Sequence, residues 1–226
     1  MVSSREVSER SVQIGPSGIT GDLSIPQAAR GLILFAHGTG SSRLSSRNRF
    51  VAGSLQESSF ATLLLDLLTA EEEQIDLRTR HMRFDIDLLA SRLVQASKWV
   101  VDSDSGIASL PIGYFGASTG AAAALIAAAE LRESTRAVVS RGGRPDLAGA
   151  ALPRVKAPTL LIVGGDDYPV IELNERALKQ LECEKKLEIV PGATHLFEEP
   201  GTLEQVARLA SKWFESYLSV SRLTTR

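Results

Sequence analysis

Near its start the chain has two short segments rich in β-branched residues. "SVQIG" begins at Ser11 and "ITGDLSIP" ends at Pro26, with Pro-Ser-Gly between them. Short β-branched segments joined by turn residues predict a pair of antiparallel strands. The first structural unit is therefore expected to be a hairpin.

After this hairpin the pattern changes to continuous apolar runs of strand length. Most of these runs are bounded by Gly, Pro or charged residues, and they lack the alternation of a half-exposed strand. Unbroken apolar runs are typical of parallel strands that are covered on both faces. We predict strands at "GLILFAHG", "FATLLLDLL", "LPIGYFG", "RAVVS", "APTLLIVGG" and "KKLEIVPG".

Longer segments with helical spacing lie between the apolar runs. In "RFDIDLLASRLVQASKWV" the apolar residues recur on one face, which predicts an amphipathic helix. The alanine-rich segment after Ser118 is a strong helix former. Further helices are predicted from Asn48 to Ser58 and at "VIELNERALKQL" and "TLEQVARLASKWFESYL". The charge run "AEEEQ", Ala70 to Gln74, is interpreted as a solvated loop.

Alternation of strands and helices predicts an α/β fold with a mostly parallel central sheet and helices on both faces. The connection between "RAVVS" and "APTLLIVGG" is too short for a large lid domain. No repeat or low-complexity linker divides the chain, so residues 1–226 are predicted to form a single domain.

Composition narrows the possible partners. The net charge is −2, which gives no electrostatic basis for binding nucleic acid or an anionic membrane. The polar start has no signal-peptide core and no apolar run is long enough to span a bilayer. A lone Cys183 fits a reducing compartment. We expect a cytoplasmic protein without cofactor or metal; the oligomeric state is open between monomer and homodimer.

A candidate nucleophile lies between a predicted strand and a predicted helix. Ser118 is flanked by Gly116 and Gly120 at Gly-x-Ser-x-Gly spacing. This spacing suits a sharp turn that presents the serine hydroxyl at the carboxyl edge of a sheet. The alternative is an ordinary strand-to-helix junction, so the motif needs a base, a carboxylate and an oxyanion site elsewhere.

The chain has three histidines that could supply the base. His195 follows the last predicted strand, so it lies at the same sheet edge as Ser118 and is preferred. His81 lies in a charged stretch and is interpreted as a surface histidine. His37 directly follows an early strand. Activity is expected to rise as the base loses its proton at about pH 6 to 7, and a flat profile between about pH 5 and 8 would contradict this base.

Two further elements complete the predicted site. Asp166 and Asp167 both follow a strand at the correct edge, and the residues alone leave the choice between them open. The oxyanion is expected to bind the backbone N–H of Thr119 and that of Thr39, with Gly40 behind Thr39. A dinucleotide fingerprint in the same loop fails at its last position.

The order Ser118, Asp166 or Asp167, His195 is the triad order of α/β-hydrolases. With "FAHGTGSS", "GYFGASTGAAAAL", "VVSRGGRPDLAG", "LLIVGGDDYPVIELN" and "PGATHLFEEPG", the chain resembles that superfamily, and within it the lidless dienelactone-hydrolase-like group. The resemblance implies Asp167 as the acid, through Gly-x-x-Asp-x-x-Val, and a structural His37. It covers nearly the whole chain after the first strands.

One departure bears on the substrate. Dienelactone hydrolases proper carry a cysteine nucleophile, whereas this chain has Ser118, which favours hydrolysis of ordinary carboxylic esters. The expected function is a serine esterase acting on small substrates through an acyl-enzyme. The alternatives are a lactone or thioester hydrolase with promiscuous phosphotriesterase activity, and a non-catalytic binding module on this fold.

Arginines near the predicted site raise a further possibility. Arg43 follows the oxyanion loop, and Arg141 ends a strand at the same edge. They are interpreted either as solvated or capping residues or, with Gly40, as part of a site for an acidic substrate group. A salt-sensitive preference for anionic esters would separate these interpretations.

Overall fold

A computed structural model describes residues 7–103 and 106–218. Eight strands in the described residues form one sheet: β1 Val7–Ile14, β2 Ile19–Pro26, β3 Leu32–Ala36, β4 Ala61–Leu65, β5 Ile112–Ala117, β6 Thr135–Arg141, β7 Thr159–Gly164 and β8 Lys185–Val190. Their order across the sheet is β1-β2-β4-β3-β5-β6-β7-β8. β1 and β2 pair antiparallel, as do β2 and β4, and every other neighbouring pair is parallel.

The described residues contain six α-helices, of which the first five lie between strands along the chain and the last follows β8. They are α1 Ser46–Glu57, α2 Ala70–Thr79, α3 Ile86–Val101, α4 Thr119–Glu130, α5 Tyr168–Gln180 and α6 Thr202–Tyr217. Short 3-10 segments occur at Met82–Phe84 and Pro145–Arg154. The second of these is the only helical structure between β6 and β7, so no lid domain is inserted there.

Two apolar cores lie on opposite faces of the sheet. Alternate residues of β3 show the division, because Leu34 belongs to one core and Phe35 to the other. Helices α3, α4 and α5 cover the first core, and α1 with α6 covers the second. The prediction of a mostly parallel sheet with helices on both faces is confirmed.

The interpretation of Ala70–Gln74 as a loop is wrong. These residues begin α2, whose cap is Thr69. The Thr69 hydroxyl accepts a hydrogen bond from the Glu72 N–H at 3.1 Å, and the Glu72 carboxylate accepts one from the Thr69 N–H at 2.8 Å. This capping box, with acidic residues at the positive helix end, starts a helix on a solvated charge run.

Parallel pairing brings the strand ends that carry the predicted site together. Ala36 at the end of β3 pairs with Gly116, and Ala117 at the end of β5 pairs with Arg141. β7 and β8 follow along the same edge. The loops after β3, β5, β6, β7 and β8 therefore open at one side of the molecule.

Two sequence predictions concern the chain as a whole. All eight strands of the described residues join one sheet, but the prediction of a single domain over residues 1–226 includes residues 1–6, 104–105 and 219–226, which lie outside the described part, and it stays a prediction. Within the described ranges, none of the helices combines the length and the apolar character needed to cross a membrane.

Candidate active site

Ser118 occupies an uncommon backbone conformation between β5 and α4. Its φ is 51° and its ψ is −122°, values that a side chain-bearing residue rarely adopts. Such a conformation costs on the order of 1–3 kcal/mol and persists only when the surrounding structure holds it. Ser118 is the N-cap of α4, but its side chain makes no capping hydrogen bond to the helix. The hydroxyl of the half-buried Ser118 therefore does not cap the helix.

Three glycines make room for this turn. A Cβ atom on Gly116 would lie 2.5 Å from Ala121 Cα, and one on Gly120 would lie 2.3 Å from the Ala36 carbonyl oxygen. A Cβ atom on Gly38 would lie 2.9 Å from Ser118 Cβ. The glycines of the serine motif are therefore required by close backbone packing between β5, α4 and the loop after β3.

His195 and Asp167 form a hydrogen-bonded pair at the same edge. The Nδ1 atom of His195 lies 2.7 Å from Oδ2 of Asp167. Asp167 precedes α5 without capping it through its side chain, so its carboxylate is available to the imidazole. When Nδ1–H donates to this carboxylate, Nε2 keeps the lone pair that a general base needs. The Asp167 side chain is only 12% exposed, and that of His195 is 39% exposed.

Glu199 accepts two hydrogen bonds within the loop that carries His195. The Thr194 hydroxyl donates to the Glu199 carboxylate at 2.6 Å, and the Thr194 N–H donates to the other carboxylate oxygen at 3.1 Å. These contacts, one residue before His195, lower the pKa of Glu199, because hydrogen bonds from Thr194 stabilise its charged form. These two hydrogen bonds link Thr194 to Glu199 across the loop that carries His195.

The loop after β6 contacts both the serine and the histidine. The Ser118 N–H donates to the Arg141 carbonyl at 3.3 Å, and the Arg144 N–H donates to the Ser118 carbonyl at 3.0 Å. A Cβ atom on Gly142 would lie 3.6 Å from His195 Cε1. Residues 141–144 thus lie against Ser118 on one side and His195 on the other.

Two threonines meet at the predicted oxyanion site. The hydroxyl oxygens of Thr39 and Thr119 lie 2.9 Å apart, which joins the loop after β3 to the first residue of α4. The N–H groups of a first helical turn have no partner within the helix, and the helix dipole there favours negative charge. The neighbouring Gly40, with φ of 68°, allows the loop to turn beside Thr39.

His37 has a structural environment. Its Nε2 accepts a hydrogen bond from the Leu67 N–H at 3.1 Å, so Nδ1 carries the proton and donates to the Gly38 carbonyl at 2.9 Å. Burial lowers the pKa of His37, because the charged imidazolium would lose its hydration. A neutral His37 joins the end of β4 to the oxyanion loop.

Arg43 is paired with two aspartates. Its Nε atom donates to Asp22 at 3.2 Å and its backbone N–H donates to Asp66 at 2.8 Å. The guanidinium also pairs with the Asp66 carboxylate. Asp22 lies in β2 and Asp66 directly follows β4. Both carboxylates form ion pairs with the Arg43 guanidinium. These pairings favour a structural role for Arg43, and its role in binding an acidic substrate group stays a prediction.

Arg141 has the opposite environment. Its residue exposure is 6%, and among the described residues its guanidinium is in no salt bridge. Nη2 donates to the Asn48 side chain at 3.3 Å, while Nε is buried without a hydrogen-bond partner. Burial, with a smaller contribution from the charge of Arg47, lowers the pKa of Arg141 to about 10.

Sequence analysis missed the residues that support the loop after β6. Asn174 is fully buried in α5 and donates to the Gly143 carbonyl at 3.0 Å. A Cβ atom on Gly143 would lie 2.6 Å from Ala121 Cβ, so this glycine allows the loop to pack on α4. The Gly142-Gly143 pair after a strand was the available signal. Asn174 gave no sequence signal, because its partner Gly143 is 31 positions away along the chain.

A metal-assisted site finds no support in the described ranges. They contain no group of three or more His, Cys, Asp or Glu side chains placed to hold a metal ion. The expectation of a metal-free protein stays a prediction.

A family model and solved structures relate this chain to dienelactone hydrolases. The sequence model of the dienelactone hydrolase family matches residues 23–220. The crystal structure of a dienelactone hydrolase from Anabaena variabilis is 62% identical, with a TM-score of 0.90 over 94% of this chain and 98% of that one. A dienelactone hydrolase-like promiscuous phosphotriesterase from metagenomic libraries is 14% identical, with a TM-score of 0.73 over 94% of this chain and 99% of that one, and shares the fold.

A curated relative carries a different name. A putative phosphoribosyl transferase of Mycobacterium tuberculosis, known from two strains, is 59% identical over 210 residues. The match covers 93% of this chain but 46% of that protein. The chain therefore spans about half the length of this relative.

Proposed function

Because the chain belongs to the dienelactone hydrolase family, we propose that it is a serine hydrolase that cleaves carboxylic esters of small molecules. The observation that carries this proposal is the His195–Asp167 pair, 2.7 Å apart, at the sheet edge where Ser118 is held in a strained turn. A base fixed by a carboxylate beside a serine is the arrangement that activates a hydroxyl for acyl transfer.

In the proposed first step, His195 Nε2 removes the Ser118 proton as Oγ attacks the ester carbonyl carbon. The carbonyl oxygen becomes an oxyanion, and the tetrahedral intermediate collapses to an acyl-serine. His195 gives its proton to the leaving alcohol. In the second step, water attacks the acyl-serine as His195 takes its proton, and the intermediate collapses to the carboxylic acid while His195 returns the proton to the leaving Ser118 Oγ. Asp167 keeps the imidazole in the required tautomer and stabilises the imidazolium.

The backbone N–H groups of Thr39 and Thr119 are proposed to hold the oxyanion. The hydrogen bond between their hydroxyls supports this, because it keeps the two backbone segments in a fixed relation. Donors that are already oriented need no rearrangement as charge develops, and each contributes on the order of a hundredfold or more in rate.

Lactones and thioesters are the second candidate substrates. The Anabaena relative, described as a dienelactone hydrolase, is 62% identical to this chain, which favours lactone hydrolysis. The same steps open a lactone, with the leaving alcohol still attached to the acyl group. The comparison with the phosphotriesterase shows a shared fold alone. Phosphotriester cleavage is therefore proposed only as a side activity.

Transferase activity is not proposed for this chain. The chain spans 46% of the putative phosphoribosyl transferase, and the arrangement of Ser118, His195 and Asp167 supports hydrolysis instead. We propose a small-molecule substrate and a cytoplasmic location, with no role for nucleic acid or membrane.

Reaction with a fluorophosphonate probe tests the proposed nucleophile. Intact mass and peptide mapping are expected to show one label at Ser118, and none in Ser118→Ala. The matched control is Ser140→Ala, which alters a buried serine of β6 and is expected to label normally. Folded wild-type protein without a label at Ser118 would contradict the hydrolase and favour a binding module.

A further inference from the structure

We propose that Arg141, with Arg47 and Asn48, forms a binding site for a compact oxyanion, the carboxylate or phosphate group of the substrate, next to the catalytic serine. The proposal rests on the proposed function for its place in the reaction. The binding site itself follows from the environment of the arginines.

The first step is that Arg141 is buried without a counter-ion. Its residue exposure is 6%, and within the described part of the chain its guanidinium donates one long hydrogen bond, to Asn48 at 3.3 Å. Nε is buried and has no partner. A buried charge without a partner is costly, so such groups are normally paired or bound to an ion. The buried, unpaired Nε of Arg141 therefore points to a binding site for an anion.

Four other partly buried arginines form ion pairs, in contrast to Arg141. Arg43, Arg83, Arg92 and Arg144 each pair with an aspartate or glutamate. Arg144, three residues after Arg141, binds both oxygens of Asp146, at 2.9 and 2.8 Å. Arg141 differs from them although it is the most buried of the set.

The second step is that the surroundings of Arg141 are positive. Arg47 is close enough to lower the pKa of Arg141 through charge repulsion. Arg47 and Asn48 lie in the first turn of α1, whose N-terminal end also favours an anion. The Arg47 Nε is buried without a partner, while its Nη1 pairs with the exposed Glu198 at 3.0 Å. That one carboxylate leaves an excess of positive charge, which an oxyanion would compensate.

The third step is position. Arg141 is the last residue of β6, and its carbonyl accepts the Ser118 N–H at 3.3 Å. Its guanidinium carbon lies 5.9 Å from the ring centroid of Phe197, two residues after His195. The guanidinium therefore lies between the start of α1 and Phe197 of the histidine loop, while the backbone of Arg141 contacts Ser118. The substrate class that this proposal predicts is therefore an ester that carries an anionic group.

Matched ester substrates test the site. We compare the 4-nitrophenyl monoester of glutaric acid with 4-nitrophenyl pentanoate, which has the same acyl length and no carboxylate. Wild type is expected to favour the glutarate ester about 10- to 100-fold in kcat/KM, as a charged hydrogen-bonded pair allows. Arg141→Met is expected to remove that preference, measured as the ratio of the two kcat/KM values in the same protein. Arg141→Lys should restore part of it, and Arg144→Gln, the control, should retain it.

A binding measurement separates this proposal from the proposed reaction. Ser118→Ala protein is titrated with glutarate and with inorganic phosphate at constant ionic strength, and thermal unfolding is followed. At least one anion is expected to raise Tm, and Ser118→Ala/Arg141→Met is expected to lose the shift. A shift with glutarate alone indicates a carboxylate, and a shift with phosphate alone indicates a phosphate.

The outcomes are distinguishable. An Arg141-dependent shift in a protein without esterase activity would overturn the proposed reaction and leave the anion site standing. Hydrolysis without preference for the glutarate ester, together with no shift by either anion, would overturn the anion site and leave the hydrolase standing. If Arg141→Met does not fold, wild type and Arg141→Lys decide by the same two readouts.

Discussion

At the scale of single residues, position along the backbone separates functional side chains from their neighbours of the same type. Asp166 and Asp167 are adjacent, yet only Asp167 contacts His195. The Asp166 backbone N–H donates to the Ala193 carbonyl at 3.0 Å, and its side chain lies at the surface. The two aspartates therefore provide an internal comparison with equal charge and almost equal location.

We expect Asp167→Asn to lower kcat for ester hydrolysis by about 10²- to 10⁴-fold, because an amide cannot hold the same imidazole tautomer or stabilise the imidazolium. Asp166→Asn, the matched control, is expected to change kcat by less than about threefold. Steady-state kinetics on 4-nitrophenyl acetate measures both. Equal losses in the two variants would contradict the assignment of the acid.

At the scale of elements, the β5–α4 unit is defined by how closely its backbone approaches its neighbours. Alanines occupy most of α4 and are buried on nearly all sides, including residues 121–124 and 127–129. Small side chains let the helix lie close to β5 and α3. Gly120 continues this packing against the backbone of the loop after β3, which positions Thr39. Site geometry and helix packing are therefore coupled here.

We expect Gly120→Ala to lower the free energy of unfolding by about 1–3 kcal/mol or more and to abolish most activity. The added Cβ would lie 2.3 Å from the Ala36 carbonyl and 2.5 Å from the His37 carbonyl, and backbone atoms there must move. Urea unfolding and ester kinetics measure the two effects.

Gly53→Ala is the control for this change. Gly53 lies within α1, and nothing is within 4 Å of an added Cβ. Since alanine is the better helix former, this variant is expected to gain about 0.5–1 kcal/mol in stability with unchanged activity. A destabilised Gly53→Ala, or a Gly120→Ala protein as active as wild type, would contradict the packing argument.

At the scale of the whole molecule, the sheet has a core on each face, and each core has its own tryptophan. Trp99 of α3 packs against one core, and Trp213 of α6 packs against the other. The Trp213 indole N–H donates to the Pro158 carbonyl at 3.2 Å. The strands contribute to both cores, so loss of one core exposes the sheet that supports the other.

If the chain is one cooperative domain, the two cores are expected to unfold together. Trp99→Phe and Trp213→Phe each leave one fluorescent reporter, on opposite faces of the sheet. In urea, each variant's fluorescence and far-UV circular dichroism are expected to give the same midpoint. Separate midpoints within one variant would show that the faces unfold independently and would contradict the single-domain prediction.

Local patterns determined a large part of this structure. The apolar runs specified parallel strands, and the Gly-x-Ser-x-Gly spacing specified a sharp turn after β5, because both depend on residues that are close in sequence. The capping box at Thr69 and Glu72 was equally local, although the charge run beside it suggested a loop. The common edge of the predicted site followed from the predicted parallel strands, because parallel strands present their carboxyl ends together.

Only the tertiary structure decided which charged residues are paired and which are left unpaired. Arg43 meets Asp22 across 21 positions of the chain, while Arg141 meets Asn48 across 93 and finds no carboxylate. In sequence the two arginines were alike. Their environments differ because side-chain contacts between distant strands and helices depend on how the whole sheet is ordered, and no short pattern records that order.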